Sequence, residues 1–254
     1  MASTALISSF ALVLLLLCAL FEVSVAFPTE PLGNLTDVPT HPLTKRGCKF
    51  NTETAQWECD TDFPTTSQLI SQMQDEPGGL ATKDKFVAFY SNLNDPSLAP
   101  GKDPSLSWVV GWLDANGFAG KYYWWGKCVN QYWLNAQSAF IRENAQKYKD
   151  KWGADALSTF EKCFFQSMAL ASQQPESIVL TPSDKGWKDD SLWAAIEFPT
   201  LTRNNNVKRI WRVDPRPPKD RGDEEGCAPD KPQLIWDRAR DKVKKLPWVC
   251  PFAD

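Results

Sequence analysis

The chain has 254 residues, with 28 Lys and Arg against 31 Asp and Glu, a net charge of −3 and a single histidine. This near-neutral balance gives no bulk electrostatic footprint for nucleic acid, so no nucleic-acid partner is expected. The one histidine, His41, falls in a segment expected to be cut away, which excludes Ser-His-Asp and Cys-His catalysis, His-ligated metal and a His proton shuttle from the remainder. Any chemistry must therefore come from carboxylates, hydroxyls and aromatic rings.

Residues 1–26 read as a secretory signal peptide, with an apolar core over 12–20 and the small-residue site Val23-Ser24-Val25-Ala26. The run lacks a basic stop-transfer flank, so no membrane association is expected after its removal. Residues 27–46 read as a pro-peptide ending at the dibasic pair Lys45-Arg46, with the glycosylation sequon Asn34-Leu35-Thr36 inside it. The mature chain, 47–254, is expected to be one secreted domain of one or two lobes. It keeps Cys48, Cys59, Cys128, Cys163, Cys227 and Cys250, an even count that implies disulfides in an oxidising compartment. Short loops favour Cys48–Cys59 and Cys227–Cys250, leaving Cys128–Cys163. Cys-x-x-Cys pairs are absent, so no structural zinc site and no other metal is expected.

Residues 47–62 suggest a small disulfide loop or hairpin around Trp57, and 67–74 a short helix stopped by Pro77-Gly78-Gly79. Phe86-Val87-Ala88-Phe89-Tyr90-Ser91 reads as a buried strand, and 105–113 as a helix ending before Asn116-Gly117. Residues 118–133 are the most aromatic stretch. A long amphipathic helix is expected over 135–152 and a second over 154–171, carrying Cys163 and Ser167. Two strands follow, over 177–181 and 207–214, on either side of Leu192-Trp193-Ala194-Ala195-Ile196-Glu197-Phe198-Pro199. Residues 216–226 read as a charged, Pro-rich surface loop, and 234–246 as a closing amphipathic helix. All twelve tryptophans fall after residue 46 and suit either a Trp-rich core or a stacking cleft.

Short strands joined by helical crossovers predict an α/β (α+β) fold, with a helical part and a short, mostly parallel sheet. Ligands in such sheets sit beyond the carboxyl ends of the strands, and Ser91, Thr181 and Glu197 lie at or near three such ends. Glu197 is a lone carboxylate closing an apolar run. Its structural alternative is a salt bridge at a sheet edge with Arg209 or Arg212.

The ordered set of motifs resembles the ADP-ribosyl cyclase family of NAD glycohydrolases, over roughly residues 86–250. Tyr90-Ser91 is similar to the family's aromatic-Ser pair after its first nucleotide-domain strand. Val110-Gly111-Trp112-Leu113-Asp114 is similar to its Gly-aromatic helix end, and Ser167-Met168-Ala169-Leu170-Ala171 to its Ser-bearing helix. Ser191-Leu192-Trp193-Ala194-Ala195-Ile196-Glu197 fits Ser-x-aromatic-x-x-x-Glu, with Glu197 at the catalytic glutamate. The Cys227-to-Cys250 loop resembles the family's closing loop, which adds to the expectation of that bond. Two departures stand out: Ser105-Leu106-Ser107 replaces the family's Thr-Leu-Glu, and Cys163 replaces a Trp. The resemblance implies a secreted, disulfide-stabilised hydrolase that cleaves the nicotinamide–ribose bond of NAD, its substrate, and makes ADP-ribose with some cyclic ADP-ribose. No cofactor is implied. Glu197 would stabilise the ribosyl cation and Tyr90 would wall the nicotinamide. Ser167 would contact the ribose, Ser91 and the Ser191–Trp193 turn the phosphates, and Asp114 the amide, with Trp112 beside it. The alternative from another class is a secreted binding or effector protein that keeps the fold without turnover.

Overall fold

The computed structural model describes residues 48–51, 56–59, 63–74, 85–93, 105–115, 121–152, 155–221 and 231–252. The signal peptide, the pro-peptide and Cys227 lie outside them. Strands β1 (Cys48–Asn51) and β2 (Gln56–Cys59) form an antiparallel hairpin whose register sets Cys48 opposite Cys59. That is the pairing position the expected bond needs; the side chains themselves fall outside the description. Helix α1 (Thr66–Gln74) starts at a reciprocal capping box, in which the Thr65 N–H donates to Gln68 Oε1 (3.0 Å) and the Gln68 N–H to Thr65 Oγ1 (3.3 Å).

The centre is a five-stranded sheet in the order β4-β3-β5-β6-β7. Its strands are β3 (Phe86–Tyr90), β4 (Tyr122–Tyr123), β5 (Glu176–Leu180), β6 (Arg209–Val213) and β7 (Gln233–Asp237). The first four run parallel and β7 pairs antiparallel with β6. Val87, Ala88 and Phe89 are all buried, because both faces of the sheet are covered and a parallel strand then reads as a continuous apolar run. Helix α2 (Ser105–Ala115) packs Val109, Trp112 and Leu113 on one face, against Ala88, Ile178 and Val213. The other face carries Val87, Phe89, Val179 and Ile210 and meets α5 (Ala156–Leu170). One continuous core joins this face to α1 and to α3 (Gln131–Glu143) and α4 (Ala145–Trp152).

Asp155 starts α5 by accepting the Ser158 N–H (2.7 Å), and Asn130 starts α3 by accepting those of Tyr132 and Trp133. The helix expected over 135–152 is two helices. Asn144 ends α3, donating through Nδ2 to the Phe140 carbonyl (2.9 Å), and α4 begins at the next residue.

Three further expectations are corrected. The closing helix over 234–246 is instead β7 followed by extended chain. Ile235-Trp236 is a β-branched and aromatic pair after Leu234, and pairing with β6 buries Trp236 completely. The disulfide pairing differs as well: Cys163 bonds Cys250 and Cys128 is a free, buried thiol. Neither Cys128–Cys163 nor Cys227–Cys250 forms, because the terminal segment returns to α5, where the Cys250 N–H donates to Gln166 Oε1 at 2.8 Å. Finally, Arg216 is buried rather than part of a solvated loop, because two carboxylates hold it. Among the described residues no helix is long and apolar enough to cross a membrane.

Candidate active site

The chain leaves β3 over one sheet face through α2 to reach β4, then returns across the other face through α5 to reach β5. Between β3 and β5 the connections diverge, and in sheets of this kind that switch point places the ligand crevice beyond their carboxyl ends. Ser91 and Thr181 stand there: the Ser91 N–H donates to the Leu180 carbonyl and the Thr181 N–H to that of Val213, both at 2.9 Å. The loop after β5 folds over this edge. Its Gly186 has φ +63°, a left-handed conformation that favours glycine, and its carbonyl accepts from Thr181 Oγ1 (2.8 Å) and Asn92 Nδ2 (3.0 Å).

The loop delivers a helix that changes character at its end. Trp193–Glu197 is a π-helical turn, closed by the Phe198 N–H donating to the Trp193 carbonyl, and it continues as α6 (Phe198–Arg203). Pro199 accounts for the change: it has no N–H to donate and its ring crowds the carbonyl four residues back, so the ladder widens before it. Ser191 caps the start, accepting the Ala194 N–H (3.2 Å) and donating to the Lys188 carbonyl (2.7 Å). Trp193 is 1 % exposed, stacked on Phe198 with ring centres 5.3 Å apart, and in contact with Phe89 (5.6 Å) and Trp187 (6.0 Å). Rings from β3, the loop and α6 thus converge beside the turn that ends in Glu197.

Glu197 is 4 % exposed, and among the described residues nothing donates a hydrogen bond to it and no cation pairs with it. The two arginines of the structural alternative are engaged elsewhere. Arg209 pairs with Glu176. Arg212 donates to the carbonyls of Pro182 and Ser183 and lies over the Trp187 ring at 5.7 Å. Burial pushes the Glu197 carboxyl well above the usual carboxylate range, and the Glu161 carboxylate on the adjoining helix α5 pushes it further. Glu161 is partly buried, and burial raises it to about 7 against the opposing pull of Lys162. Three more buried polar atoms of this layer have no hydrogen-bond partner among the described residues: Ser167 Oγ on α5, Trp193 Nε1 and Thr200 Oγ1. Thr200 follows Glu197 by three residues and so shares its helix face.

A second buried carboxylate lies just past the end of β6, and it is fully satisfied. Asp214 accepts the Ser183 N–H (2.8 Å) and Oγ–H (2.9 Å), the Arg216 N–H (3.0 Å) and the Arg216 guanidinium (2.7 Å). Burial alone would raise its carboxyl, but these hydrogen bonds outweigh it and hold the group below its usual value.

The sequence-predicted residues divide between the sheet faces. Ser167, Trp193 and Glu197 belong to the α5 side. Tyr90 packs with the α2 cluster, where its hydroxyl accepts from Trp125 Nε1 (2.9 Å). Trp112 lies in that same cluster and Asp114 is exposed at the end of α2, so these three do not meet Glu197 across the sheet. Ser91 sits at the crevice, and Ser191 serves as a helix cap. Sequence reasoning missed Glu161 and Trp187. The signal for Glu161 was a carboxylate set between Phe160 and Phe164 on a helix face expected to pack.

Among the described residues no group of three or more His, Cys, Asp or Glu is placed to hold a metal ion. No protein-family model, curated protein or solved structure matches this chain.

Proposed function

We propose that the chain is a secreted glycohydrolase that cleaves the nicotinamide–ribose bond of NAD, releasing nicotinamide and ADP-ribose, on an ADP-ribosyl cyclase-like fold. One observation carries the reading: Glu197 is a buried carboxylate without a counter-ion among the described residues, beside tryptophans, on the crossover that leaves the switch point of a parallel sheet. A buried acid with no partner is costly and clusters at functional sites. The order of strand, Gly-aromatic helix, Ser-bearing helix, strand and Glu-bearing turn supports the family resemblance.

The reaction suits these groups. As the C1′–N1 bond breaks, its electron pair neutralises the pyridinium, so nicotinamide leaves without a general acid. Positive charge develops on the ribose, where a carboxylate is stabilising. In the free protein, burial and the Glu161 carboxylate favour the protonated form of Glu197. A cationic substrate beside it favours the ionised form, the form that stabilises the ribosyl cation. Trp187, partly exposed next to buried Trp193, offers a stacking surface for nicotinamide.

A second reading has an observation of its own. Two neighbouring carboxyls both raised toward neutrality suit general acid catalysis on a neutral N- or O-glycoside. Purified protein is incubated with NAD and, separately, with inosine, and released base is read by chromatography. Nicotinamide release supports the first reading. Hypoxanthine release without nicotinamide supports the second. NAD binding with neither product leaves the non-catalytic binding protein. Secretion and processing predict a purified chain that begins at Gly47, checked by N-terminal sequencing of the product from a secreting host.

A further inference from the structure

We infer that Glu161 is a second catalytic carboxylate of this site, the base that takes a proton from the attacking water while Glu197 faces the ribosyl cation. The inference rests on the glycohydrolase reading and adds the water-activating residue to it. Helix α5 leads into the start of β5, so it runs from the carboxyl edge of the sheet toward the amino edge, and Glu161 lies in its second turn, on the crevice side. The π-helical turn and α6 leave the end of β5 and run the same way, packed on α5 through the shared core. Glu161 and Glu197 thus lie on elements that pack on one another, close enough for the Glu161 charge to act on Glu197. Ser167 lies about 9 Å further along the α5 axis.

Two features separate the pair's roles. Glu197 is closed off by burial, whereas Glu161 keeps partial exposure and can pass a proton to solvent. Independently of the acids, Thr200 Oγ1 is 1 % exposed, lies one turn on from Glu197 on the same helix face and has no hydrogen-bond partner among the described residues. A buried hydroxyl in that condition calls for a polar ligand such as a water or a sugar hydroxyl.

The charges around Glu161 leave it as a base poised near neutrality. On its own helix Lys162 opposes the effect of burial, and the Lys162 ammonium lies over the Trp248 ring at 5.9 Å. Helix α1 carries no charged residue, and among the described side chains the charges of α3, α4 and α6 (Arg142, Glu143, Lys147, Lys149, Asp150, Arg203) are exposed. Lys244 of the terminal segment sits over the Phe198 ring, and the charge that acts on Glu197 is that of Glu161. Burial holds Glu161 at about 7, so the ionised base forms as pH rises through neutrality. The step balances: C1′–N1 breaks with its electron pair going to nicotinamide, the water oxygen bonds C1′, and the water proton passes to Glu161 and then to solvent.

The test follows NAD hydrolysis by wild type, Glu161→Gln, Glu161→Asp and Glu197→Gln from pH 5 to 9, with and without azide. The melting temperature is recorded for each. Azide attacks C1′ without losing a proton, so it needs no base. Wild type should show a rising limb near pH 7. Glu161→Gln should lose that limb and about 100-fold in kcat at pH 8. Azide should restore turnover, with ADP-ribosyl azide as product, and should not restore Glu197→Gln. Glu161→Asp should keep a limb at a shifted position. A Glu161→Gln enzyme with wild-type rate and limb overturns the inference and leaves the glycohydrolase reading standing. So does a folded Glu161→Gln enzyme that is slow and unmoved by azide. A wild type that does not cleave NAD overturns both, and that is read before any variant.

Discussion

Asp214 and Glu197 are both buried acids near the carboxyl edge of one sheet, at 0 % and 4 % exposure, and the protein treats them in opposite ways. Asp214 accepts from two backbone N–H groups, a hydroxyl and a guanidinium, which together hold its proton off. Glu197 has no partner among the described residues, and both burial and Glu161 drive it toward the protonated form. Equal burial with unequal satisfaction separates the two: the first carboxylate fixes the loop after β5, and the second is without a partner among the described residues, the condition in which buried acids cluster at functional sites.

The largest expected contrast is in stability. Asp214→Ala leaves the buried Arg216 with Asp184 alone and strands the Ser183 N–H, and should cost about 3–5 kcal/mol in urea unfolding. Glu197→Gln breaks nothing and should cost nothing. Equal losses at the two sites would erase the distinction between them. Next in size is the tie between Cys163 and Cys250, which closes an interval of 87 residues. Replacing both by Ser should lower stability by about 4 kcal/mol, and non-reducing peptide mapping should link these two cysteines. A Cys163 peptide linked to Cys128 would contradict the fold of the terminal segment.

Stability against pH sharpens the comparison further. Glu161 and Glu197 have raised folded values, so their contribution is complete below the ordinary carboxylate range of about 4 and is lost as pH rises through the folded values, about 7 for Glu161. Asp214 is depressed, so its contribution is present above that range and is lost as pH falls through its folded value. The melting-temperature gain of Glu197→Gln over wild type should therefore grow from pH 4 to 8, while the deficit of Asp214→Ala should shrink toward acid. The smallest effect is at Cys128. It is fully buried and its thiolate is disfavoured by burial, so it should resist maleimide in the folded protein and react in urea.

Elements whose character is local were legible in the sequence. β3, β5 and β6 are runs of β-branched and aromatic residues, and α5 announces itself with Asp155 and an apolar face. Elements decided by a distant partner were not. Leu234-Ile235-Trp236 carries a helix-compatible pattern until β6 offers an edge to pair with. Cysteine spacing is silent on the return of residues 242–252 to α5, and that return chooses Cys163–Cys250. The site was legible only in part. Glu197 stood out as a carboxylate in an apolar run, but its neighbour Glu161 stands 36 positions earlier in the chain, and that juxtaposition is not a local property. Tyr90 shows the limit of counting along a strand: alternation sends Phe89 to the Trp193 side and Tyr90 to the α2 side.

The central claim is that Glu197 is kept for chemistry and not for folding, and one paired measurement on Glu197→Gln tests it: the rate of nicotinamide release from NAD together with the melting temperature. The account predicts a rate lower by about two to four orders of magnitude, with a melting temperature equal to or above that of wild type. A near-normal rate with a lowered melting temperature would contradict it.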